Sequence, residues 1–200
     1  MNKKERKTEE TKQKIVDAAL HLFARQGYHK TTIQDLAGYI GMTSGALFHH
    51  FSSKKEILYR VIDRLNTGMD RYIDYLSQSR KGSVYALTGL VDLFVEKFHS
   101  DPDEIIALAS FATEFGSGND PVVDRIHRTY NRFIDAMEET CDFLPESVNK
   151  RAFAVSFFSG IQGIFIQAIF RQGQMEIDEL AKGFVDMITT GICDTCATRA

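Results

Sequence analysis

The side chains best suited to chemistry are few in this sequence, and their spacing is poor for catalysis. His49 and His50 are adjacent, but neighbouring residues diverge on a helix and no third ligand lies near, so no metal site is expected. Cys193 and Cys196 form a CxxC near the end of the chain. With no βαβ pattern around it and no second pair, it fits neither a redox motif nor a zinc knuckle; a thiol sensor and a frayed tail are its readings. No nucleophile, base and acid can be assembled into a set, so the chain is not expected to be an enzyme or to carry a cofactor. What remains is the stretch from Thr43 to His50, TSGALFHH. As a helix with Leu47 turned inward, it presents Ser44, Gly45, Ala46, Phe48, His49 and His50 outward. Hydroxyls and imidazoles on a slender helix can contact bases and phosphates, and the major groove of DNA admits a helix. An ordinary helical hairpin is the plainer reading of the same residues.

The neighbouring elements would hold that face in place. Ile33, Leu36, Ala37 and Ile40 recur at i, i+3, i+4 and i+7, one apolar helical stripe. Thr31 or Thr32 can cap its first turn, and Gly41 can end it in a left-handed conformation. Thr43 or Ser44 can cap the next helix, whose Leu47 and Phe51 point back to a core. Upstream, Ile15, Ala18, Ala19, Leu22 and Phe23 line another helix that stops at Gly27. Downstream, Ser52 or Ser53 caps a helix whose first turn holds Lys54 and Lys55. Cations there oppose the helix dipole and point to an anionic partner such as a phosphate.

Gly27, Tyr28, Thr31, Thr32, Ile33, Asp35, Leu36 and Ala37, then Ile40, Gly41, Met42, Thr43, Gly45, Leu47, Phe48, His50, Phe51, Ser53 and Lys54, stand at spacings that closely resemble the N-terminal DNA-binding domain of the tetracycline-repressor (TetR) family of bacterial regulators. The resemblance covers about residues 11–60; beyond it only length and helical texture agree. It implies an all-α fold, with an N-terminal three-helix helix-turn-helix domain and a C-terminal helical domain for ligand binding and dimerisation. It also implies a homodimeric repressor that binds palindromic double-stranded operator DNA and is released by a small effector. Thr31, Thr32, His50 and Lys54 stand where the family commonly contacts the DNA backbone. Phe48 departs from the pattern: the family usually has Tyr there, whose hydroxyl commonly meets a phosphate. Phe48 is left with a packing role or a contact to a thymine methyl. The DNA-contacting set is therefore Thr31, Thr32, Thr43, Ser44, Gly45, Ala46, Phe48, His49, His50, Lys54 and Lys55.

The net charge of −3 over 200 residues is unevenly spread. Residues 1–60 hold 11 Lys and Arg against 6 Asp and Glu; residues 61–200 hold 13 against 21. Such a division places an anionic partner at the basic end. The first residues, MNKKERKTEE, contain no apolar run and do not read as a signal peptide. Three cysteines make no disulfide framework, and a cytoplasmic location is expected. The expected organisation is a flexible basic arm at 1–10, the helix-turn-helix domain at 11–56, and the ligand-binding and dimerisation domain at 57–200.

A long helix from Ser53 to about Leu76, spanning ~35 Å, should lead from one domain into the other. Turns follow at 77–83 and 116–121, with helices over Val84–Phe98, from Pro102, over Val122–Cys141, from Val148 to Gln172, and from Ile177 to Ile192. Residues 152–170 carry no charge, long enough to raise a membrane span. Ser156, Gly160 and Gly163 fall at i, i+4 and i+7 and would let another helix approach; with Gln167 they are expected at a dimer interface, as in the family's four-helix dimer bundle. Twelve of fifteen phenylalanines follow residue 60. Phe94, Phe98, Phe111, Phe115, Phe133, Phe158 and Phe165 could line a largely apolar effector pocket, with Glu114, Arg128 and Gln162 as polar contacts; simple core packing is the alternative. Two other functions stay open: an effector-independent architectural DNA-binding protein, and a membrane-tethered sensor.

Overall fold

The computed structural model describes residues 2–79, 84–116 and 120–197, with 192–197 by main chain alone. Every regular element among them is a helix: α1 (Lys3–Gln26), α2 (Ile33–Tyr39), α3 (Ser44–Phe48), α4 (Lys54–Gln78), α5 (Val84–Ser100), α6 (Asp103–Phe115), α7 (Pro121–Thr140), α8 (Lys150–Phe170) and α9 (Ile177–Ala197). The fold is all-α, as the periodicity predicts. Residues 3–10 are a correction, because they form the first turns of α1 instead of a loose arm. Lys, Glu and Arg are nearly as good as Ala in a helix. Asn2 also closes a capping box, with Glu5 N donating to Asn2 Oδ1 at 2.9 Å and Asn2 N donating to Glu5 Oε2 at 2.7 Å. The expected turns at 77–83 and 116–121 lie partly outside the described residues, as do the side chains of Cys193 and Cys196.

The chain divides into two compact units, and the boundary differs from the expected one at residue 57. One unit contains residues 1–68 together with 103–128; the other contains 69–102 and 129–200. In the first, α1 packs on α2 and on α6. Ile15, Ala19, Phe23, Leu36, Leu47, Ile57, Leu58 and Val61 have no exposed surface, nor do Ala107 and Phe111 of α6. At roughly 1.5–3 kcal/mol for each large side chain, this shared core binds α6 to the N-terminal helices more firmly than any chain boundary suggests. The Phe111 ring lies 6.3 Å from that of Phe23. In the second unit α5, α8 and α9 pack on one another. Its centre is aromatic: Phe94 stacks on Tyr72 at 4.0 Å and meets Phe133, Phe158 and Phe165 at 5.9–6.1 Å.

Candidate nucleic-acid interface

α2 and α3 are short, seven and five residues, so their ends must be satisfied by side chains. Thr32 is the cap of α2: Asp35 N donates to its Oγ1 at 3.1 Å, and Thr32 N donates to Asp35 Oδ2 at 2.8 Å. Those bonds, the backbone one foremost, hold the Asp35 carboxyl below its ordinary pKa. After Ile40 the chain turns at Gly41, whose φ of 68° suits glycine, and Met42 N donates to Ala37 O at 2.8 Å. Thr43 then caps α3 by accepting from Ala46 N at 3.1 Å. Leu47 and Phe51 are buried, which fixes the rotation of α3 about its axis.

That rotation leaves Thr43, Gly45, Phe48 and His49 exposed, with Ser44, Ala46 and His50 half-buried at the edges. Gly45, Phe48 and His49 are spaced i, i+3 and i+4, so they share one face. Phe48 is 50% exposed. A Cβ on Gly45 would meet nothing nearer than Thr43 Oγ1 at 4.0 Å. The His50 Nδ1 is buried and meets no hydrogen-bond partner among the described residues.

Four residues expected to touch DNA also have partners within the chain. Thr31 is fully buried; its hydroxyl donates to Gly27 O at 2.7 Å and accepts from Gln26 Nε2 at 3.2 Å. It staples the α1–α2 loop. Thr32 is exposed, but its hydroxyl is engaged by Asp35 at 2.7 Å. The Lys54 ammonium donates to the carbonyls of Tyr28 and Thr31, each at 2.9 Å, and at 3.5 Å to that of His29. It also lies 4.3 Å from the centre of the Tyr28 ring. Partial burial draws its pKa below the ordinary lysine value, with nearby Glu114 opposing. Lys55 pairs with Asp120 at 3.0 Å. Both lysines at the start of α4 therefore have acceptors inside the chain. Glu56 further settles the start of α4, accepting from Ser52 N at 2.7 Å.

Several residues assigned to an effector pocket also move. Glu114 accepts from the backbone N–H of Tyr28 at 2.9 Å and of His29 at 3.4 Å. It approaches so closely that a Cβ on Gly27, where φ is 86°, would lie 2.7 Å from its carboxylate. Phe115 packs on Tyr28 at 5.4 Å and Phe111 on Phe23, so all three belong to the unit that carries α3. Asp103, overlooked in the sequence, binds His21 at 2.6 Å and Arg25 at 2.9 Å, tying the other end of α6 to α1. Its only signal was an acidic residue in the first turn of a helix. Arg128 is exposed. Phe94, Phe98, Phe133, Phe158 and Phe165 do gather in the second unit, with Gln162 Nε2 donating to Tyr130 Oη at 2.9 Å beside them. A groove of about 350 Å³ in that unit lies elsewhere, lined by Ile73, Leu76, Arg132, Asp135 and Glu139 among others.

On the expected interface, a Cβ at Gly160 would come within 2.5 Å of the Phe184 ring, so its small size serves α8–α9 packing within the chain. Gly163 has open space, Ser156 and Gln167 are exposed, and Val155, Ile166 and Phe170 stand beside them at 47%, 52% and 81% exposure. α8 is long and apolar enough to cross a membrane, though a third of its most apolar window is buried in the protein.

A family model described as bacterial regulatory proteins, tetR family, matches residues 15–61, the span from the core of α1 into α4. The biofilm operon icaADBC negative transcriptional regulator IcaR of Staphylococcus epidermidis is 31% identical over 93 residues. Residues 15–61 carry the DNA-binding domain of the tetR family. That match covers 46% of this chain and 48% of IcaR, so the chain spans about half the length of this relative. Among solved structures, the MbdR regulator of Azoarcus sp. CIB superposes with a TM-score of 0.77 over 86% of this chain and 94% of that one, at 19% identity. AibR, solved with isovaleryl coenzyme A and operator DNA, gives 0.73 over 88% and 96%, at 18% identity. At these identities the tetR-family likeness outside α1–α4 is one of fold.

Proposed function

We propose that this tetR-family chain is a DNA-binding transcriptional regulator, a homodimeric repressor that reads a palindromic operator through α3 and leaves it when a small effector binds. The observation that carries the reading is the exposed face of α3. Thr43, Gly45, Phe48 and His49 point outward while Leu47 and Phe51 anchor the helix from behind. A short capped helix held in this way is the part of a helix-turn-helix that enters the major groove. Two copies would pair through the exposed side of α8, where Val155, Gly163, Ile166 and Phe170 form an apolar face unsuited to water. The effector would place its apolar part among Phe94, Phe98 and Phe165, with the Tyr130–Gln162 pair as its polar contact. Burial keeps the Tyr130 hydroxyl protonated by raising its pKa, so it can donate as well as accept. AibR, with isovaleryl coenzyme A in its structure, makes acyl thioesters the first class to try.

The test is retardation of a duplex from the chain's own upstream region, followed by addition of short- and long-chain acyl-CoAs. Specific retardation reversed by one of them supports the reading. Retardation that no apolar ligand reverses would leave an effector-independent DNA-binding protein, and sedimentation as a monomer would remove the paired α8 faces.

A further inference from the structure

Resting on the DNA-reading role of α3, we infer that Glu114 of α6 is a positioning residue for sequence recognition. It holds the α1–α2 loop, and through it the helix-turn-helix, in the geometry that base reading requires. Phe111 and Phe115, one turn before it and next to it in α6, are buried, and the Phe115 ring packs on those of Tyr28 at 5.4 Å and His29 at 5.5 Å. Their burial fixes the rotation of α6 and aims the Glu114 carboxylate at the loop. There it accepts from Tyr28 N at 2.9 Å and His29 N at 3.4 Å, while Lys54 Nζ donates to the carbonyls of Tyr28 and Thr31. The loop backbone is thus gripped by a carboxylate on its N–H groups and an ammonium on its carbonyls. The Glu114 charge also supports that of Lys54 against burial. Thr32, which follows the gripped stretch, is the cap of α2, and the bond from Met42 N to Ala37 O ties α2 to the turn before α3. A shift of the loop is therefore carried to α3. A binding site must be held within about 0.5 Å of its working geometry, a demand that base contacts make and non-specific attraction to phosphate does not. Removing a carboxylate from this basic half would, by charge alone, strengthen binding to any duplex. Losing a positioning bond weakens binding to the recognised sequence alone, so the two effects have opposite signs.

The experiment uses the full-length chain and duplexes enriched from a random library by that chain, each paired with a scrambled duplex at fixed salt. Binding is measured for the wild type, Glu114→Ala and Glu114→Gln. The two variants carry the same charge, so their difference reads the bonds to the loop; glutamine keeps the reach and one carbonyl acceptor. Glu114→Ala should bind the enriched duplex about tenfold more weakly than the wild type, and the scrambled duplex at least as tightly. Glu114→Gln should lose only about threefold on the enriched duplex, having kept one of the two acceptors. Urea unfolding at the assay temperature gives the folded fraction of each variant. A residue that merely stabilised the fold would lower the unfolding midpoint and leave the ratio of the two affinities unchanged. Should Glu114→Ala not fold, Glu114→Gln against the wild type makes the same comparison with the smaller loss. A ratio unchanged from the wild type, or equal losses in the two variants, would overturn the inference while leaving the DNA-reading function intact. If the wild type enriches no duplex at all, that function fails and takes this inference with it.

Discussion

Replacing Gly45 by alanine should make the chain more stable and its DNA binding weaker. Gly45 is the second residue of α3, and its φ is not among the positive values. Glycine there costs helix stability, up to ~1 kcal/mol relative to alanine in a helix interior and about half that in a first turn. Nothing in the fold compensates, because a Cβ built there would meet only Thr43 Oγ1 at 4.0 Å, an ordinary contact. Gly45→Ala should therefore raise stability by about 0.5 kcal/mol, or roughly 1–2 °C in melting temperature for a chain of this length. The methyl would stand on the face shared with Phe48 and His49. If that face lies against a groove wall, α3 must withdraw, and a loss of ~1.4 kcal/mol gives about tenfold weaker binding. Urea unfolding and fluorescence anisotropy with an enriched duplex, at one salt concentration, give the two numbers. Undiminished affinity in a stabilised variant would show that the open side of Gly45 does not meet DNA.

Lys54→Met should destabilise the chain by about 2 kcal/mol, because the carbonyls of Tyr28 and Thr31 lose a charged donor. Its remaining folded fraction should keep the wild-type salt dependence of DNA binding, whereas loss of a phosphate-bound lysine would lower the slope by about one. Gly163→Arg should fold and sediment as a monomer, since its surroundings are open, while Gly160→Arg should fail to fold because it strikes Phe184; a dimeric Gly163→Arg would move the interface off α8. Cys141 is buried and its thiol pKa is pushed up to about 11, by burial foremost. Iodoacetamide at pH 8 should leave it unmodified in the folded chain and label it in urea, as read by peptide mass spectrometry.

The helix-turn-helix was legible because its determinants are local. Thr32 and Asp35 are three residues apart, Thr43 reaches Ala46, and Gly41 marks the turn by its conformation. The roles of Thr31, Lys54 and Glu114 were not, because their decisive partners are distant or implicit. Lys54 reaches back 23 residues to the Thr31 carbonyl, and Glu114 reaches 86 residues to Tyr28 N. Backbone carbonyls and amides leave no trace in a sequence pattern, so a lysine that plugs a loop reads like a lysine awaiting phosphate. Periodicity likewise shows that Phe111 faces a core without saying which one, and the core proved to be that of Phe23. Charge misled at residues 3–10, where Lys and Glu suggested a loose arm although both favour helix. The small size of Gly160 was read correctly as a close approach, but the approaching side chain is Phe184 of the same chain.

The central claim is that the outward face of α3 reads base sequence while the basic N-terminal half neutralises phosphate. The direct measurement is the dissociation constant of the full-length chain for an enriched duplex and for its scrambled counterpart, between 50 and 200 mM salt. The enriched duplex should bind at least ~10³-fold more tightly at physiological salt, and both affinities should fall steeply and log-linearly as salt rises. Equal affinity for the two duplexes, or binding insensitive to salt, would contradict it.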